Sequence, residues 1–300
     1  MINGVVNVYK EKGYTSHDVV ARLRGIFGQK KIGHTGTLDP EAEGVLPVCL
    51  GNATKLCGML TDKRKEYVAE LLLGVTTDTQ DMTGAVLSER PVTASPEEIK
   101  ATVMSFLGTY GQLPPMFSAC KVNGRRLYEL AREGKEVERQ TRPVTIYELD
   151  IVSMELPLVR LRVLCSKGTY IRTLCHDIGK KLGCGGAMKS LLRTRVERFT
   201  LGGAKTLAQV EEAVRAGAGD ALVLPVDAMF SHLPAITVKD GCEGSVQNGN
   251  PLFLRQITGK SGWTEGELAR VYDGGGTFYG IYAFQVMKGN FRPEKMFLSR

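Results

Sequence analysis

The chain has 300 residues, 43% of them hydrophobic, and carries 39 Lys and Arg against 32 Asp and Glu, a formal net charge of +7. That content is enough for a sizeable core, and the length admits one large domain or two unequal ones. The positive balance favours a polyanionic partner, and no stretch approaches the ~18 consecutive apolar residues of a membrane-spanning helix.

Met1 to Lys10 has neither the basic n-region nor the long apolar run of a secretory signal. Next, Thr15 and Asp18 make a capping pattern ahead of Val19, Val20, Leu23, Ile26 and Phe27, which predicts a helix that Gly28 ends. The apolar stretch Val45 to Leu50 predicts a strand, as do Tyr67 to Leu73 and Leu158 to Cys165. Ser95, Pro96 and Glu98 start a second helix, and Thr206 with Gln209 a third. Between Lys121 and Arg142, basic residues interleave with glutamates in the manner of a solvated helix with compensating charges. From Leu233 to Arg300 there are 11 glycines in 68 residues, which predicts a small β-rich module. The elements together predict mixed helix and strand organisation with no internal repeat.

The seven cysteines (Cys49, Cys57, Cys120, Cys165, Cys175, Cys184, Cys242) are odd in number and contain no CxxC pair. They suit a reducing cytoplasm better than a disulfide framework, and no structural zinc site is expected. Asp78 and Asp81, in DTQDMTG, lack the ligand spacing of a calcium loop and predict a turn. Cys175 and His176, adjacent on a helix, face different directions and make no dyad.

The run GHTGTLDPEAEGVLPVCLG, Gly33 to Gly51, is where chemistry is expected. Pro40 pushes Asp39 out of the α region, and Gly33, Gly36 and Gly44 permit tight turning and close backbone approach. Asp39 therefore sits on a shaped loop at the mouth of a sheet, among His34, Thr35 and Thr37, as a candidate nucleophile or general base. GQKKIGHT, from Gly28, nearly fits a phosphate loop, but His34 stands where the lysine must be.

Gly33 to Lys55 resembles the catalytic motif of TruB-type tRNA pseudouridine-55 synthases, close to GHTGTLDPxAxGVLPxxxGxATK. Further segments are similar in the same order: KGYTSHDVV from Lys12, KEYVAELLLG from Lys65, GVTTDTQDMTG from Gly74, PPMFSACKVNGRRLYELAREG from Pro114 and KGTYIRTL from Lys167. The resemblance implies an α+β fold with a mixed, largely antiparallel sheet in a catalytic domain spanning 1–232, and a PUA-like RNA-binding domain over 233–300. It implies that Asp39 is the essential aspartate, that Arg172 pairs with it, and that Tyr67 stacks on the target base and is proposed to act as a base. His34 is implied to contact the flipped nucleotide, Tyr170 and Leu191 to line the uridine pocket, and Arg125 and Arg126, in an insertion over 121–142, to touch RNA phosphates. The implied activity is isomerisation of uridine 55 in the tRNA T arm, by a monomer, without cofactor or metal. Glu11, Leu192 and Glu197 depart from the family pattern, where proline, arginine-rich sequence and glycine are usual.

Overall fold

The computed structural model describes residues 1–61, 63–122 and 124–298. Strands form where apolar residues run or alternate: β1 (Gly4–Lys10), β2 (Ile32–His34) and β3 (Glu43–Leu50), with α1 (Ser16–Ile26) between the first two. The α1 start is the predicted capping box, in which Thr15 Oγ1 accepts from the Asp18 backbone N–H and Asp18 accepts from the Thr15 N–H. After α2 (Cys57–Thr61) come β4 (Lys65–Leu73), β5 (Val75–Thr77) and β6 (Val86–Glu89), then α3 (Pro96–Met104) behind its Ser95 cap. The strand β7 (Gly108–Gln112) leads into the basic insertion, where β8 (Lys121–Val122) and β9 (Arg125–Arg126) precede α4 (Leu127–Arg132). There follow β10 (Arg142–Glu155), β11 (Leu158–Cys165), α5 (Ile171–Lys181), β12 (Gly186–Val196), β13 (Phe199–Thr200), α6 (Leu207–Arg215) and β14 (Val223–Leu224).

These strands make one sheet in the order β14-β1-β3-β12-β4-β11-β10-β7, with β2 on β3 and β13 on β12. Every pairing is antiparallel except β3 with β12. Two apolar layers hold it. Ile99 and Val103 of α3 and Leu174 and Ile178 of α5 pack on Leu71, Leu149 and Leu161. Val19 and Leu23 of α1 and Val210 of α6 pack on Val6, Leu46 and Val48. Each such side chain, fully removed from water, contributes about 1.5–3 kcal/mol.

A second sheet is built from β15 (Ala235–Val238), β16 (Leu252–Phe253), β17 (Ile257–Gly259), β18 (Leu268–Tyr272), β19 (Phe278–Gln285) and β20 (Asn290–Met296), in the order β16-β20-β19-β18-β15-β17. Its own core centres on Trp263, Tyr282, Phe284 and Phe291. A further cluster bridges the two sheets, with Phe230, Ile281 and Phe297 packed against Val5, Cys49 and Val196. Asn52 Nδ2 donates to the Phe297 carbonyl at 2.7 Å across the same junction. No helix among the described residues is long and apolar enough to cross a membrane.

Two departures have local causes. The Lys121–Arg142 stretch is a solvated helix only over Leu127–Arg132; the Lys121–Arg126 hairpin takes its first part, so Arg125 pairs with Glu133 eight residues on, outside helical spacing. Glu197, where the family has glycine, holds φ 51° between β12 and β13, a left-handed conformation that glycine adopts without strain.

Candidate active site

The loop from Thr35 to Ala42 is held from every side. Pro40 sits at the second position of a turn closed by the Ala42 N–H donating to the Asp39 carbonyl at 3.1 Å, the position that its ring-fixed φ suits. Ser16 Oγ, at the start of α1, accepts from the Leu38 N–H at 2.9 Å. Thr35 Oγ1 donates to the Pro47 carbonyl at 3.1 Å. From the end of β1, the buried Lys10 Nζ donates to the Pro40 carbonyl at 3.0 Å. Arg193 of β12 donates from Nη2 to the Gly36 carbonyl at 3.3 Å and from Nη1 to the Thr37 carbonyl at 3.4 Å. Gly44 makes this approach possible, because a Cβ there would lie 2.2 Å from the Arg193 carbonyl oxygen. A loop fixed at so many points presents its carboxylate without reorganisation.

The Asp39 side chain, 36% exposed, opens on a cleft of about 780 Å³ between the sheet and the basic insertion. Tyr67, Tyr170, Arg172 and Leu191 line the same cleft. The Arg172 side chain, in the first turn of α5, is 7% exposed and places Nη2 3.5 Å from Asp39 Oδ1. The Asp39 pKa is raised: burial disfavours the charged form, Arg172 pulls the other way, Asp81 adds to the rise and Lys10 opposes it. The carboxylate is thus recessed, one face on a cation and the other on the cleft.

Asp81 is the partner that the sequence did not suggest. It lies in the expected turn, yet its Oδ2 stands 3.5 Å from Arg172 Nη1, while Oδ1 accepts from the Thr79 and Thr83 hydroxyls at 2.7 and 2.6 Å. Arg172 Nη2 also donates to the Phe117 carbonyl at 2.7 Å. The guanidinium is clamped before any ligand arrives. The flanking hydroxyls in TTDTQDMT were the only signal, and threonines are common in turns.

The remaining expected residues divide. Tyr67 is buried at the back of the cleft, and burial pushes its pKa up to about 12, so it is a neutral phenol at pH 7. The Tyr170 backbone is tied to Gln112, its N–H donating to Oε1 at 2.8 Å, and Leu191 forms cleft wall. His34 does not line the cleft; its ring packs edge-on against His17, which does, with centroids 5.2 Å apart. Burial, then His17 and Arg193, lower the His34 pKa. Arg126 reaches the cleft beside Tyr128, to whose hydroxyl it donates at 3.0 Å, whereas Arg125 is engaged by Glu133.

Residues 24–171 match the family model for the TruB family pseudouridylate synthase N-terminal domain, and 172–231 the model for the tRNA pseudouridylate synthase B C-terminal domain. The chain belongs to the TruB family of pseudouridylate synthases. A relative described as tRNA pseudouridine synthase B from Lachnoclostridium phytofermentans is 53% identical over 99% of this chain and 100% of its own. Another of that description, from Bacillus pumilus, is 42% identical over 100% and 99% respectively. Among solved structures, a Cbf5-Nop10-Gar1 complex matches with TM-score 0.71 and 28% identity over 99% of this chain and 85% of that one. An H/ACA RNP bound to a substrate RNA containing 2′-deoxyuridine matches with TM-score 0.71 and 26% identity over 99% and 86%. TruB membership accounts for the α+β architecture with its largely antiparallel sheet and the β-rich C-terminal unit.

Proposed function

We propose that the chain isomerises a uridine of tRNA to pseudouridine, and that this uridine is position 55 of the T arm. The observation that carries the reading is the Asp39 carboxylate, clamped through Arg172 and open to a cleft large enough for a nucleotide. TruB membership and relatives described as tRNA pseudouridine synthase B support the reaction.

The reaction breaks the N1–C1′ bond, turns the base over and forms a C5–C1′ bond, with no change of redox state and no atom added. It needs neither cofactor nor metal. Asp39 supplies the nucleophile or base at the base–sugar junction; Arg172, 3.5 Å away, favours the charged carboxylate that this role needs and so opposes the effect of burial. Because the target lies in a folded loop, the nucleotide is extruded at a cost of a few kcal/mol, offset by binding elsewhere. Tyr67, Tyr170 and Leu191 enclose the extruded nucleotide. His34 acts one step back, supporting His17 at the rim. Arg126 contacts the RNA backbone, and Arg125 contributes less because Glu133 neutralises it.

The chain divides into a catalytic domain over 1–232 and a PUA-like RNA-binding domain over 233–300. The end of the first sheet at Leu224 and the start of the second at Ala235 support that boundary. The enzyme works as a cytoplasmic monomer on the T stem-loop. Carbodiimide treatment and primer extension on T-arm transcripts exposed to the pure protein test the reading. A new stop one nucleotide to the 3′ side of position 55 is expected; a transcript without that stop contradicts it.

A further inference from the structure

The turn that carries Asp81 is tied to α5 at two neighbouring points. Asp81 Oδ2 faces Arg172 Nη1 at 3.5 Å, and beside that pair the hydroxyl of Thr173, a residue 1% exposed, donates to Gln80 Oε1 at 2.7 Å. Among the described residues, these are the side-chain bonds that join the turn to the helix. The Gln80 backbone is engaged elsewhere: its carbonyl accepts from the Met188 N–H of β12 at 3.0 Å, and its N–H donates to the Thr77 carbonyl at 3.3 Å. Gln80 serves β12 and α5 together with φ 67°, one of two left-handed residues other than glycine among the described residues. Glycine would adopt that conformation without strain, but it has no side chain to offer α5. Within the turn, Thr79 and Thr83 already hold the Asp81 carboxylate. Its distance from Arg172 is therefore set by how the whole turn docks on the helix.

We propose that Gln80 is a positioning residue that, through its bond to Thr173, docks the Asp81 turn on α5 and so holds Asp81 against Arg172, the cation that faces Asp39. Neither Gln80 nor Thr173 borders the cleft, so their effect on the reaction passes through the docked turn. Neither side chain titrates, so the docking is the same at every pH at which Asp39 changes charge. The charged groups acting on Asp39 are Arg172 on α5, Asp81 on the turn and Lys10 on β1, with the Tyr67 and Tyr170 phenols bordering the same cleft. Of these, the turn carries Asp81 alone. Loss of docking lets Asp81 withdraw, and with it the negative charge that opposes ionisation of Asp39. The inference rests on the isomerase reading above.

Two variants break the bond from opposite ends. Gln80→Gly removes the amide and suits the left-handed backbone, and Thr173→Val removes the donor while keeping a branched side chain. Single-turnover pseudouridine formation between pH 4 and 8 should show the acid limb displaced to lower pH by about 0.5 unit or more in either variant. The same change made on Asp81→Asn, where no carboxylate remains to be positioned, should move it by less than about 0.2 unit. A slower rate with the limb unmoved, or an equal displacement on the Asp81→Asn background, overturns the proposal and leaves the isomerase reading intact. A wild-type enzyme that makes no pseudouridine overturns both. Thermal melting establishes that each variant is folded. If Thr173→Val is not, Gln80→Gly decides, because its backbone conformation is the one that glycine adopts freely.

Discussion

Asp81 holds Arg172 from the side opposite Asp39, its Oδ2 3.5 Å from Nη1 although 91 residues separate the two in the chain. One guanidinium shared by two carboxylates makes the charge state of Asp39 sensitive to both neighbours, and in opposite senses. Arg172 lowers the Asp39 pKa and Asp81 raises it.

The acid limb of the pH–rate profile should therefore move in two directions. The raised Asp39 must lose its proton to act, so activity falls as pH drops through its pKa. Arg172→Gln removes the cation and should shift the limb to higher pH, besides lowering the plateau. Asp81→Asn removes a neighbouring negative charge and should shift it to lower pH. Single-turnover rates between pH 4 and 8 read both shifts, and displacement in the same direction would contradict the shared clamp.

Lys10 gives a stability signature at the alkaline end. Burial brings its pKa down from 10.5 to about 8, against the opposing pull of Glu43 and Asp39. The folded protein releases this proton before the unfolded chain does. The cost of the buried ammonium is fully present below pH 8 and is relieved as pH rises toward 10.5. Urea midpoints at pH 7 and pH 9.5 should show wild type gaining, or losing less, relative to Lys10→Met. The reverse ranking would contradict a depressed Lys10.

Two glycine exchanges should act with opposite sign. Gly44→Ala would place a Cβ 2.2 Å from the Arg193 carbonyl carbon's oxygen, at φ 107°, and should cost at least about 2 kcal/mol while loosening the β3–β12 seam. Glu197→Gly relieves a left-handed side-chain residue and should be neutral to stabilising by up to about 1 kcal/mol. Chemical unfolding of both variants checks the pair.

Reversing charge at Arg126 should weaken tRNA binding and reduce the slope of log K against log salt by about one unit, because a phosphate contact releases a counterion. Arg125→Glu should change the slope less, since Glu133 already occupies that guanidinium. Filter binding at several salt concentrations distinguishes them; identical slopes for wild type and Arg126→Glu would rule out the contact.

The features that the sequence carried locally were legible in it. The Thr15, Ser95 and Thr206 caps, the Leu158–Cys165 strand and the constrained Asp39 loop each depend on a few neighbouring residues. The Arg172 contact was legible only through a family resemblance. Asp81, Arg193 and Lys10 escaped because their roles arise from contacts between segments far apart in the chain: Asp81 meets Arg172 across 91 positions and Arg193 the Val45 carbonyl across 148, and nothing near Arg193 in the chain marks it as buried. An arginine in a run of arginines reads as surface charge, yet the register of β12 on β3 and β4 turns this one inward. The insertion was misread in part because alternating charges suit a helix and a hairpin alike.

The most direct test concerns Asp39 itself. Asp39→Asn keeps the shape of the side chain and the turn while removing the nucleophile, so equilibrium tRNA binding should stay within about 3-fold of wild type as single-turnover pseudouridine formation disappears. Product formed by that variant at a rate near wild type would contradict the account.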